Sequence, residues 1–372
     1  MARLGGLGFC CESDMVSIKL IFLIFVGCLL GLWSGALSAQ DAPIPQDEPI
    51  HTLHVYANLI QIPTLVLGTN RERLKTPIAE SRFSVSIDSG PWFRATHVRP
   101  EGDDPISLSI LLDVSGGSAN LMPKIGDAIA RLAPGSLYPK DHISIYALDC
   151  SLIQSLNDAP ADSEGLKAAV NKALQSWTAR EHNENEPACQ QSIHLWDALA
   201  HISGELAKLP GRRVILAVSS GRDKGSNRTW NQVRALAENR GVAVFGLSYI
   251  PQYARDTKEI LQFSSEDAFH SVCELSGGIV LMANTRSVDE ALRGFTQMLR
   301  ERYIVEFPRP VNATPGEHVK QVKIAKSNAF IRPAGTSVPI ADPTLLADPT
   351  TVKSDPTRTP ELGTRAPMKK PQ

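Results

Sequence analysis

The chain has 372 residues, a net charge of −1, 42% hydrophobic and 21% charged residues. That length admits one large domain or two to three ordinary ones. The composition is that of a globular protein rather than a disordered or collagenous one. The charge balance excludes a protein that coats nucleic acid, which needs a basic surface against phosphates. Residues 20–33, LIFLIFVGCLLGLW, form an apolar run preceded by Lys19 and followed by small residues in SGALSAQ. Basic, apolar and small in that order is the pattern of a secretory signal peptide. The run is short for a membrane helix, which needs ~20 apolar residues. Residues 1–39 are therefore read as a signal peptide, cut near Ala36 or Ala39, with an uncleaved anchor over residues 20–39 as the alternative. Glu12 and Asp14 precede the apolar run, so Met15 is an alternative start, and Cys28 reads as an apolar-core cysteine. Residues 40–51 are a linker.

Residues 52–103 carry β-rich stretches at His54 to Leu67 and Phe83 to Val98, with no helical stripe. From about residue 104 strands and helices alternate. Strands are expected at Ile106 to Leu112, His142 to Leu148, Val214 to Val218, Val242 to Tyr249 and Ile279 to Met282, with a short edge strand at Ser151 to Leu156. The continuous run VILAV marks a central strand covered on both faces. Apolar residues at helical spacing occupy Leu121 to Leu132, Leu166 to Trp177 and Leu195 to Leu209. Further helices are expected at Trp230 to Arg240, ending at Gly241, and at Asp267 to Leu275. Ser287-x-x-Glu290 has the form of a capping box opening one more. Alternation of this kind implies right-handed crossovers and a doubly wound, mainly parallel α/β sheet, over residues 104–303. Ligands bind such sheets at the C-terminal ends of the strands.

Residues 303–332 return to β character, at Tyr303 to Phe307, Val319 to Ile324 and Ala329 to Ile331. Strands on both flanks predict a discontinuous β-sandwich from residues 52–103 and 304–332. Residues 333–372 are read as a disordered Pro/Thr-rich tail, in which Asp-Pro-Thr recurs three times. Of the six cysteines, Cys10, Cys11 and Cys28 fall in the leader, and Cys150, Cys189 and Cys273 remain. Cys150 and Cys189 could form one disulfide, and Cys273 is expected to be buried. No Cys/His spacing suits zinc.

The first core strand ends in LLDVSGGSAN, where a carboxylate, a hydroxyl and glycines sit at a strand-to-helix turn. Asp and Ser there are hard oxygen donors suited to Mg²⁺ or Mn²⁺. In this the chain resembles the von Willebrand factor type A (VWA) domain. That family carries a metal-ion-dependent adhesion site built from an Asp-x-Ser-x-Ser loop, a Thr and a second Asp. The stretches LIQIPTLVLG, RFSVSIDSGPWFRATHV and ELSGGIVLMANTRSVDEALRGFTQMLRERYIVEF extend the resemblance over roughly residues 52–332. They are similar to an exported VWFA-related group common in acidobacterial genomes.

Carried over by position, Asp113 and Ser115 match the first Asp and Ser, and Gly117 replaces the second Ser, with Ser118 one residue on. In QQSIHLWDAL, Ser192 stands where Thr is expected, and in VSSGRD, Ser220 stands where the second Asp is expected. The candidate metal ligands are Asp113, Ser115 and Ser192, and the ligand-binding set adds Ser118 and Ser220. One carboxylate with hydroxyls makes a weak Mg²⁺ or Mn²⁺ site, because affinity follows ligand charge. Asp223 would reach it only if its loop rearranged.

His194 and His201 lack acidic or Cys partners at ligand spacing, and Ser219-Ser220-Gly221 lacks a His base. No catalytic motif has a matching context, so a hydrolase ranks last. The acidic run Arg180 to Pro187 should rim the ligand face. The resemblance implies an exported, non-enzymatic module that binds a protein through the top face of its sheet. The location would be periplasmic, cell-envelope or secreted, with membrane contact only through an uncleaved N-terminal segment. A structural envelope subunit is the alternative.

Overall fold

The computed structural model describes residues 54–56, 59–181, 194–209, 212–250, 267–308, 318–335 and 351–353. The leader, the 40–51 linker, Cys189, Ser192 and most of the acidic run lie outside the described residues.

The central sheet has six strands in the order β11-β10-β9-β6-β7-β8. They are β6 (Ile106–Asp113), β7 (His142–Leu148), β8 (Leu152–Pro160), β9 (Arg212–Val218), β10 (Val242–Tyr249) and β11 (Val280–Ala283). Five are parallel, and β8 pairs antiparallel with β7 at one edge. Every residue of β6 is buried, as its run of Leu, Ile and Ser between covered faces requires. Side-chain alternation sends Leu108, Ile110 and Leu112 to one face and Leu111 to the other. The first face is covered by α1 (Met122–Ala130), α2 (Ser163–Ala173) and α7 (Val288–Glu301). The second is covered by α4 (Leu195–Leu206), α5 (Trp230–Asn239) and α6 (Ala268–Leu275). The sheet is thus doubly wound.

Several local expectations change. The stripe from Leu166 to Trp177 is two helices, α2 and α3 (Gln175–Glu181), because the chain leaves the helical region at Leu174 (φ −91°, ψ 1°). The edge strand β8 runs to Pro160, longer than its six-residue expectation, because its outer edge needs no proline N–H. Ser287 makes no side-chain cap on α7. Its hydroxyl instead accepts the Asn284 N–H at 3.0 Å, which leaves nothing to complete a box. The capping box that does form is Thr229 with Gln232, at the start of α5.

The flanks build two antiparallel sheets. One has four strands in the order β14-β2-β12-β5, from β2 (Leu59–Leu67), β5 (His97–Pro100), β12 (Tyr303–Pro308) and β14 (Phe330–Pro333). The other has β13 (Lys320–Ile324), β3 (Phe83–Ile87) and β4 (Phe93–Arg94). Ile60, Ile62, Phe83, Val85, Val305, Phe307 and Ile324 share one core between the two sheets. A third, two-stranded parallel pair joins β1 (His54–Tyr56) to β15 (Thr351–Lys353).

The flanking sheets meet the α/β layer at the N-terminal ends of its strands. Glu101 and Arg302 form a doubly hydrogen-bonded pair there (2.7 and 2.8 Å), their side chains 0% and 1% exposed. Asp141 accepts the N–H groups of Ile106 (3.1 Å) and Tyr138 (2.7 Å) and pairs with Arg300. After β14, Ala334 is buried against Gly277. Gly277 has φ +102°, and a Cβ there would fall 2.6 Å from the Ala334 Cα. Residues 333–335 and 351–353, which fall in the stretch expected to be a disordered tail, therefore belong to the fold. A small Ala opposite a glycine is what lets the chain lie flat there.

Cys150 is disulfide-bonded, and Cys273 is a buried free thiol pushed well above its usual pKa by burial. Among the described residues, no helix is long and apolar enough to cross a membrane.

Candidate functional site

From β6 the chain runs outward through β7 and β8, then returns to β9 on the other side of β6. That reversal opens a crevice between the C-terminal ends of β6 and β9, the position where open α/β sheets take ligands. Asp113 is the last residue of β6 and is 0% exposed. Its Oδ1 accepts the Ser115 N–H (2.9 Å) and the Ser115 hydroxyl (2.5 Å). Its Oδ2 accepts the Ser219 hydroxyl (2.6 Å). Ser219 Oγ accepts the Gly221 N–H at 3.0 Å, and Ser248 Oγ donates to the Ser219 carbonyl at 2.7 Å. Burial pushes the Asp113 carboxyl above its usual range, against the pull of the Ser115 and Ser219 donors.

The structure therefore brings Asp113, Ser115 and Ser118 together, Ser118 donating its hydroxyl to the Ser115 carbonyl at 3.1 Å. Ser220, the residue expected in the third loop of the site, has a buried hydroxyl with no partner among the described residues. Its neighbour Ser219 makes the contact instead. Strand register shows why. Leu112 pairs with Val218 and Val218 with Leu247, so one step further Asp113, Ser219 and Ser248 line up across three strands. All three continue the parity of Leu111, Ala217 and Val244, on the face covered by α4, α5 and α6. Counting outward from VILAV and from VAVFGLSY would have found Ser219 and Ser248. Matching a loop position by position did not.

Asp223 takes no part. Its Oδ1 accepts the Trp196 N–H (3.2 Å) and the Ser226 hydroxyl (2.6 Å), tying the β9–α5 loop to the first turn of α4. Helix N-termini leave N–H groups unsatisfied, and a carboxylate suits their positive end. The tie is reciprocal. Asp197 of α4 accepts the N–H groups of Asn227 (2.8 Å) and Arg228 (3.1 Å). Burial opposes charge on Asp197, but those donors hold its carboxyl below the usual range. Asp149, at the end of β7, is paired with Arg180.

Among the described residues the site offers a divalent cation one carboxylate, Asp113, beside the Ser115 and Ser219 hydroxyls. That is a weak set, because affinity follows ligand charge. Among the described residues no three His, Cys, Asp or Glu side chains gather to hold a metal. Ser192 lies outside the described residues. No described histidine bonds to Ser115, Ser118, Ser219 or Ser220, so the crevice holds no nucleophile–base pair among them.

No family model matches the chain, and no curated protein does. Solved structures are similar at low identity. The proximal thread matrix protein 1 of the mussel byssus is 11% identical with a TM-score of 0.37, over 54% of this chain and 49% of its own. This chain thus spans about half the length of that protein. The vWF domain of the type V pili tip protein Mfa5 of Porphyromonas gingivalis is 8% identical with a TM-score of 0.35, over 53% of this chain and 95% of its own. The manganese-loaded TRAP protein of Plasmodium vivax is 13% identical with a TM-score of 0.35, over 65% of this chain and 98% of its own. The class of the domain rests on its own topology. Five parallel strands, an antiparallel edge strand and an Asp-x-Ser loop at the central reversal make it a VWA-like α/β domain.

Proposed function

We propose that this chain is an exported, non-enzymatic protein-binding module that uses the C-terminal face of its VWA-like sheet without a metal ion. The observation that carries the reading is the Asp113 carboxylate, buried at the end of β6 and hydrogen-bonded to Ser115 and Ser219, with no second carboxylate beside it among the described residues. Such a face recognises a partner through loop shape and hydrogen bonds, and the family's metal site is present only in degenerate form. Export is supported by the basic, apolar and small order around residues 19–39. The test is capture from cell-envelope extracts by the purified chain, with Mg²⁺ and with chelator. The expected result is equal capture in both, lost when Ser115 and Ser118 become Ala. Heat on titrating Mg²⁺ or Mn²⁺, or a rise in melting temperature, would sink the metal-independent mechanism. No capture by the wild type would sink the binding reading itself.

A second reading is a structural subunit of the cell envelope. It draws on the buried Glu101–Arg302 pair where the flanking sheets meet the α/β layer, since a spacer needs such stiffness. Concentration-dependent self-association on sizing would favour it.

A further inference from the structure

The β9–α5 loop, residues 219–229, carries charge that the crevice chemistry does not use. Arg222, Lys224 and Arg228 are exposed, against one carboxylate, Asp223, which is already bound to the start of α4. Among the described residues Arg222 and Lys224 have no ion-pair partner. Arg228 is half-spent, its guanidinium 3.5 Å from Asp197 and 54% exposed. The loop is held at two points on one helical turn, through Asp223 at Trp196 and through Asn227 and Arg228 at Asp197. The backbone that carries its cations is therefore held in place before binding. Two further observations point to a ligand. The Ser220 hydroxyl, two residues from Arg222, is buried with no partner among the described residues. Trp230, two residues after Arg228, is 37% exposed although it opens a helix whose Val233 and Ala237 are buried. Arg and Trp are the residue types that dominate protein–protein interfaces.

We infer that this loop is the partner-selecting part of the face and that its partner is an acidic protein segment. Carboxylates of that segment would sit on Arg222 and Lys224, with an apolar side chain on Trp230. This inference rests on the protein-binding reading above and names the chemistry of the partner. Unpaired cations at a rim act mainly on the rate of encounter, so binding should fall as salt rises.

The test uses the full chain and a fluorescein-labelled glutamate decamer followed by anisotropy. Wild type is expected to bind it at low salt and to release it at 0.5 M NaCl, given a Debye length of about 10 Å already at 0.1 M. The double reversal Arg222→Glu with Lys224→Glu should weaken binding about tenfold or more. A control reversal of the same charge on α1 and α2, across the sheet from the loop's helices, Lys124→Glu with Lys172→Glu, should leave it within about twofold. Trp230→Ala should weaken capture of the natural partner while leaving the decamer unaffected, because the decamer has no apolar side chain. No binding of the decamer, or equal loss in the control, overturns the inference. So does tighter binding after Glu184→Gln with Glu186→Gln, which would make the chain's own acidic run the occupant. If extracts still yield a partner to the double reversal but not to the Ser115 and Ser118 variants, only this inference fails. If the wild type captures nothing from extracts, the binding reading fails, and the decamer result still decides whether the loop takes acidic chains.

Discussion

The two ends of the central sheet solve the same problem differently. At the N-terminal ends of the strands, Glu101 and Asp141 are buried and each faces a guanidinium, from Arg302 and Arg300. At the C-terminal ends, Asp113 is as deeply buried, but among the described residues its partners are Ser115 and Ser219. A carboxylate paired with a cation locks two layers together. A carboxylate held only by neutral hydroxyl and N–H donors carries a desolvation cost with no opposite charge to offset it. Buried charge without a counter-ion in a crevice marks a candidate site, whereas the same charge in an ion-pair network marks a joint.

This contrast can be broken at either end. The largest effect is expected from Arg302→Met, which leaves Glu101 buried without its partner and should cost about 3–5 kcal/mol in urea unfolding. Adding Glu101→Leu to it should restore most of that stability, since apolar replacements for a buried pair are often neutral. An equal loss in single and double variants would mean that the joint is held by packing instead. At the other end, Ser219→Ala strips a donor from Asp113 Oδ2 and a partner from the Gly221 N–H. A smaller loss of about 1–3 kcal/mol should follow.

The sign of the pH dependence separates the ends further. Burial raises the Asp113 pKa above its ordinary 3.8. Between that value and the raised one the folded chain binds more protons than the unfolded chain. The contribution of Asp113 is thus most favourable below pH 3.8 and declines as pH rises through the folded value. Relative to wild type, Asp113→Asn should gain stability as pH climbs through that window, read from melting temperatures at matched ionic strength. Parallel curves would show that Asp113 is compensated after all. The smallest effect should come from Ser220→Ala. Removing a buried hydroxyl with no partner should be neutral or stabilising, by up to about 1 kcal/mol.

How much of this could be read from the chain depends on what each residue answers to. The strands of the α/β layer are legible because VILAV and ISLSILL are buried on both sides whatever their neighbours do. Strand β8 is harder, since its polar residues follow the edge it lines and not a core. The form Ser287-x-x-Glu290 predicts a box, yet the Ser287 hydroxyl goes to Asn284, a competition that only the turn geometry decides. At the site, Asp113 and Ser115 are legible from two positions in one loop. Ser219 and Ser248 come from two other strands and depend on register, which no local pattern carries. Gly277 and Ala334 meet across 57 positions, so neither advertises the other.

One feature of the flanking sheets bears on how the chain reaches its native state. Strand β12 sits between β2 and β5, hydrogen-bonded to both, yet it is made some 200 residues after β5 and more after β2. Until residue 303 has emerged from the ribosome, LIQIPTLVL and HVRP lack the strand that lies between them. Unpaired strand edges of that kind invite association with other chains. Pairing so distant in sequence is also slow, because a long loop must close before any contact rewards it. A chain ending at residue 302 should therefore aggregate where the full chain stays soluble, as centrifugation of the two would show. The flanks then behave as a late checkpoint: they close only around a complete α/β layer.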